Sequence, residues 1–211
     1  MIRTLGAAAI LAVSLFSSAV VNAQSWEEGT HYRALDNPVR TASESGVEVA
    51  EVFWYGCPHC YNFKPLAESW EEEAPDYVNY VRLPAALGRS WEPHAYAFYA
   101  LEAMGELDKV HDALFEALAG ERRPLNDAES LADFVAGYGV DPEEFVSTYN
   151  SFGVRARVQQ AQSKIRGARI TGTPTMMVNG KYVTSASMAG GHENVLKVVE
   201  HLAEKEQAAS E

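Results

Sequence analysis

The chain has 211 residues, with 29 acidic against 17 basic side chains and a formal net charge of −12. That balance argues against nucleic-acid binding and favours a soluble surface. The length suits one well-cored domain or one domain carrying an insertion, and two cysteines are too few for a disulfide framework.

Residues 1–23 read as a secretory signal peptide. Arg3 is a short positive region, residues 5–16 are apolar, and Val21-Asn22-Ala23 offers cleavage after Ala23. The apolar run falls short of the ~20 residues that span a bilayer. Cleavage would remove one charge, Arg3, and leave the mature protein more acidic still.

Residues 47–55, VEVAEVFWY, are β-branched and aromatic and predict a strand. Gly56 breaks it. A helix is predicted from Pro58 to about residue 73 through Phe63, Leu66, Ala67 and Trp70, with Pro58 suited to its first turn and Pro65 placed to kink it. Residues 77–83 alternate as a second strand would. From 91 to 168 the pattern is almost continuously helical, with Tyr96, Tyr99, Ala100 and Ala103, then Val110, Leu114, Phe115 and Leu118, at helical spacing. These aromatics read as helix core rather than a cofactor site. Asn126 with Glu129, and Asp141-Pro142 with Glu144, predict capped helix starts. Residues 175–178, Asn179-Gly180 and 181–184 predict a hairpin. A last amphipathic helix starts near Glu193 and carries Val195, Val199 and Leu202, with 204–211 expected to fray. The order implies an α/β fold whose mixed sheet is interrupted by an all-helical insertion. The parts expected are 24–90, a helical insertion over 91–168, and 169–211.

The two cysteines, Cys57 and Cys60, flank Pro58-His59. So short a loop constrains the unfolded chain little, so the pair makes a poor staple. A strand–Gly56–Cys57–helix order puts Cys57 at a helix N-terminus, where unpaired N–H groups and the dipole favour thiolate. Thiolate is the species that attacks and leaves in disulfide exchange. Cys60 lies three positions on, on the same helix face, as the shielded resolving partner. The dipole alone shifts a thiol by only ~1 pKa unit, so His59 is expected to add charge or a donor. Stabilising the reduced thiolate makes the disulfide a better oxidant. An inert disulfide or half of a zinc site are the alternatives. Zinc would need two further ligands, and His31, His94, His111, His192 and His201 show no paired metal spacing.

CPHC behind FWYG, then Tyr61-x-Phe63, and later Gly172-Thr173-Pro174 before MMVNGKY, resembles the DsbA-type periplasmic thiol–disulfide oxidoreductases along nearly the whole mature chain. The resemblance implies a thioredoxin fold with an inserted all-helical domain. It implies a cis Pro174 against the cysteines, with Thr173 and Pro174 pairing a substrate strand. It also implies a buried Glu51 that assists proton transfer at Cys60, and catalytic roles for Cys57, Pro58, His59 and Cys60. Lys64 and Thr173 depart from the family's best-known pattern and are expected to tune potential and substrate preference. The partners implied are exported proteins with free cysteines and a DsbB-type membrane quinone-linked oxidase. No metal, flavin or nucleotide is implied, and a monomer is expected. A periplasmic reductase or isomerase, or a peptide-binding chaperone with a static disulfide, are the competing functions. Met176, Met188 and Leu196 are candidates for either a client groove or the core.

Overall fold

All seven residues of strand β2, Val47–Phe53, are buried. Unbroken burial is what a central strand needs when both faces of its sheet are covered. The computed structural model describes residues 25–210; the expected signal peptide and its cleavage point lie outside them. A short edge strand β1, Arg33–Ala34, precedes β2. After β2 come helix α1, Pro58–Glu73, and strand β3, Val78–Pro84. Helices α2 (Glu92–Met104), α3 (Leu107–Phe115), α4 (Ala128–Ala136), α5 (Pro142–Tyr149) and α6 (Phe152–Gly167) follow, with a π-helical turn at Glu116–Gly120. The chain then returns to the sheet as β4, Thr175–Val178, and β5, Tyr182–Thr184, and ends in α7, Ala186–Ala189, and α8, His192–Ser210.

The sheet order is β1-β5-β4-β2-β3, with β2 and β3 parallel and the other pairs antiparallel. Alternation sends Ala50, Val52 and Met177 to the face that packs on the helical block with Phe98, Leu114 and Ile165. Val47, Val49, Met176 and Val178 point to the other face, against Phe63 and Ala67 of α1 and Val195, Val199 and Leu202 of α8. The α/β arrangement with a helical block inserted between β3 and β4 is thus the one the sequence implies.

Several local expectations need correction. Strand β2 stops at Phe53, because Cys57 N–H turns back to Trp54 O at 3.0 Å. Leu66, 36% exposed, and Ala103, on the surface, hold their helical spacing but lie at the edge of the buried faces. Helix α4 is capped by Asp127 with Ser130, one residue beyond the Asn126–Glu129 expectation, since the two quartets share the same spacing. The last helix does not fray from 204. Glu206 is buried there and accepts from Asn179 and Lys181, each at 2.6 Å, which ties the helix end to the hairpin. That hairpin holds Asn179 and Gly180 at φ +50° and +63°, the mirror-image turn that Asn-Gly favours.

Candidate active site

Helix α1 starts at the cysteine pair because Cys57 itself caps it. Its backbone is extended, at φ −91° and ψ 113°, Pro58 fills the first helical position, and its sulfur accepts from Cys60 N–H at 3.4 Å. A sulfur in the acceptor position of an N-cap is stabilised as an anion. Gly56 is required just before it, since a Cβ there would lie 2.4 Å from the Trp54 indole.

The second wall comes from the loop before β4, where the Thr173–Pro174 peptide bond is cis. Cys57 Sγ lies 3.5 Å from Thr173 O, a bond that only its thiol form can donate, so the two motifs, 116 residues apart in sequence, meet at one atom. A hydrogen bond from the Cys60 side chain, then ones from the Thr173 side chain and from the backbone N–H groups of Cys60 and His59, bring Cys57 down to about 5 against the opposing effect of burial. Cys60 is fully buried. That burial, with the bond to Cys57 and its negative charge, pushes the Cys60 thiol far above the ordinary range. The helix turn therefore makes one sulfur a thiolate and keeps the other protonated.

The remaining expected residues are spread differently. Pro58 and His59 are exposed, and the His59 ring stands edge-on to His192 at 6.5 Å between centroids. What His59 contributes at Cys57 is its backbone N–H. Glu51 is 5% exposed on the β2 face covered by α1. Burial raises its carboxyl to about 7 although Tyr80 Oη donates to Oε2 at 2.7 Å; Oε1 has no partner. No hydrogen bond joins Glu51 to Cys60 among the described residues. Lys64, its side chain largely covered, pairs with Glu68 and Asp112, both at 2.7 Å. Met176 and Leu196 are core, whereas Met188 lines a groove of about 560 Å³ beside Thr173 and Pro174.

Two buried histidines, His94 and His111, which show no metal-ligand spacing in the sequence, anchor the segment after β2. Trp54 Nε1 donates to His94 Nδ1 at 2.8 Å, which leaves Nε2 as the protonated nitrogen facing Leu125 O at 2.8 Å. Tyr55 Oη and His111 Nδ1 lie 2.7 Å apart in the core. Helical periodicity around His94 and His111 marks the buried face but not these partners. Tyr80 and Arg82 beside Glu51 were missed because strand register, not spacing, brings them there.

A thioredoxin-like sheet, a CxxC pair at a helix N-terminus and a cis-proline loop on its sulfur define a thiol–disulfide oxidoreductase of the thioredoxin class. Residues 77–203 match the DSBA-like thioredoxin domain, and the chain belongs to that family. It is 43% identical over 208 residues to the thiol:disulfide interchange protein DsbA of Pseudomonas aeruginosa, covering 99% of each chain. It is 42% identical over 203 residues to DsbA of Pseudomonas syringae pv. tomato, covering 96% of this chain and 95% of that one. The crystal structure of P. aeruginosa DsbA superposes with a TM-score of 0.83 at 46% identity, covering 88% of this chain and 96% of that chain. DsbA of Xylella fastidiosa superposes at 0.81 with 33% identity, covering 86% and 98%. Among the described residues, no helix is long and apolar enough to cross a membrane.

Proposed function

We propose that this protein works in the periplasm as an oxidant, after cleavage behind Ala23, passing its Cys57–Cys60 disulfide to newly exported proteins. The observation that carries the reading is the opposed tuning of the two sulfurs, about 5 at Cys57 against a strongly raised Cys60. A client thiolate attacks Cys57 Sγ and breaks the Cys57–Cys60 bond; Cys60 leaves with the electron pair and takes up a proton. A second client thiolate then attacks the client sulfur of the mixed disulfide and expels Cys57 as thiolate. The client loses two electrons and two protons. The protein gains both electrons and keeps one proton, on Cys60, while the other goes to solvent. A low-pKa leaving sulfur speeds the second step, which favours donation over reduction.

Glu51 is assigned the proton exchange with Cys60, since a carboxyl near 7 is poised to give or take a proton at neutral pH. Its unpartnered Oε1 is the atom available for it. Pro58 starts the helix, His59 adds a backbone donor, and Thr173 and Pro174 receive the client backbone. Reoxidation is assigned to a DsbB-type quinone-linked membrane oxidase, and the working form to a monomer with 91–168 as its inserted domain.

Cys60→Ala tests the assignment. Removing the internal escape should accumulate mixed disulfides through Cys57 with exported cysteine proteins on non-reducing gels. Absence of Cys57-linked adducts would overturn the roles of the two sulfurs. Equilibration with glutathione separates the competing functions. A thioredoxin-like potential would indicate a reductase, and an unreducible bond a static module.

A further inference from the structure

Helix α6 ends in a paired-bond motif whose left-handed position normally holds glycine. Ile170 N–H bonds to Ile165 O at 3.0 Å and Arg169 N–H to Arg166 O at 2.9 Å, and Ile165 and Ile170 are both buried. The residue in the left-handed position is Arg169, at φ +52°. A side chain there strains the backbone, and packing does not explain it, because the Arg169 side chain is 73% exposed. Its ion pair is with Asp36 at 3.5 Å, a group 79% exposed, so that pair is weak.

What Arg169 does reach is the groove beside Thr173 and Pro174. Arg33 enters the same groove from edge strand β1, held by a 2.8 Å bond from one guanidinium nitrogen to Ala168 O at the end of α6. His59 and His192 complete its ionisable lining, and no aspartate or glutamate lines it. In a chain of net charge −12 this is a local reversal of sign against the reacting sulfur.

We infer that Arg33 and Arg169 form a carboxylate-reading subsite of the client groove, selecting polypeptide segments with Asp or Glu close to the reacting cysteine. The inference rests on the client-oxidation reading and adds the client chemistry. The guanidinium fork suits a carboxylate, and a groove with two arginines and no acidic lining favours an acidic segment in a chain of net charge −12. Two partly exposed charges should favour an acidic over an amide-bearing segment by about three- to tenfold at low ionic strength. Screening should reduce that ratio towards one at about 0.5 M salt.

The test uses two peptides of identical sequence except for Asp or Asn flanking the cysteine. Each is made both with that cysteine and a second one able to close a disulfide with it, for stopped-flow oxidation by the oxidised protein, and with serine in place of both, for binding to the same protein. The expected result is preferential binding and oxidation of the Asp peptide, with the ratio falling to near one in Arg33→Gln/Arg169→Gly. Arg169→Gly alone should cut the ratio while leaving the thermal midpoint unchanged or higher, because glycine relieves the left-handed strain. Equal binding of the two serine peptides by the unaltered protein would overturn the subsite. So would an Asp preference that persists in the double variant. Failure to oxidise either cysteine peptide would instead strike the client-oxidation reading, and the serine-peptide ratio would still decide the subsite.

Discussion

At the scale of single residues, the tuning of Cys57 rests on donors from two loops. His59→Ser leaves the His59 backbone N–H in place, so it should raise the Cys57 pKa by about one unit at most. Thr173→Val removes a side-chain donor that serves both sulfurs, and it too should raise the Cys57 pKa. Thiolate absorbance against pH measures both; a Thr173→Val titration matching the unaltered protein would remove Thr173 from the tuning. Glu51 makes a second residue-scale case. Its folded pKa, about 7, lies above the ordinary carboxylate value, so its stability contribution is full below the unfolded pKa and is lost as pH rises through 7. Glu51→Gln should therefore be more stable than the unaltered protein at pH 8, by on the order of 2 kcal/mol. It should also slow turnover at Cys60. Denaturant unfolding and single-turnover oxidation at the same pH check the pair of effects. The cysteines were legible in the sequence because their chemistry needs only a three-residue spacing and a strand-to-helix turn. The state of Glu51 was not, because it depends on Tyr80 and Arg82, which arrive through the parallel pairing of β2 with β3.

At the scale of elements, the end of β2 is bolted to the helical block by two ring contacts, Trp54 to His94 and Tyr55 to His111. Burial, helped by the charges of Arg82 and Lys64, lowers His111 to about 3. A base depressed in the fold is charged first in the unfolded chain. The His111 contribution should thus fall as pH drops from ~6.5 towards 3, by on the order of 4 kcal/mol over that window. His111→Gln cannot be protonated and should flatten that slope. Urea unfolding of the oxidised protein and of oxidised His111→Gln at pH 7, 5 and 4 isolates the effect, since the opposite slope from Glu51 is common to both and Cys57 carries no titrating thiol in that form. Parallel slopes in the two proteins would show that His111 is not the acid-sensitive joint. Element types and order were legible because periods of 2 and 3.6 separate strands from helices. Element ends were less so. The Asp127–Ser130 cap competes with an equally spaced quartet one residue earlier, and the last turn of α8 is held by Glu206 reaching Asn179 and Lys181, a contact between distant segments.

At the scale of the whole molecule, the redox state and the stability of the fold are linked through one sulfur. In the reduced protein Cys57 lies near 5, below its unfolded value of about 8.5. A depressed acid contributes stability that is full above the unfolded pKa and is lost as pH falls through the folded one. Between pH 5 and pH 8 the difference amounts to about 3.5 kcal/mol, reduced to about 2–3 by screening where the sulfur borders the groove. The disulfide form lacks this contribution, but its four-residue ring restricts the unfolded chain by about 2 kcal/mol. The two effects oppose each other and are of similar size at neutral pH, so pH decides the winner. The reduced protein should be the more stable form at pH 8, and the oxidised protein the more stable form at pH 5. Paired denaturant curves of both redox forms across that range measure the crossing. A disulfide form that remains the more stable at pH 8 would mean that the fold does not stabilise the Cys57 thiolate, and the case for a strong oxidant would fall with it.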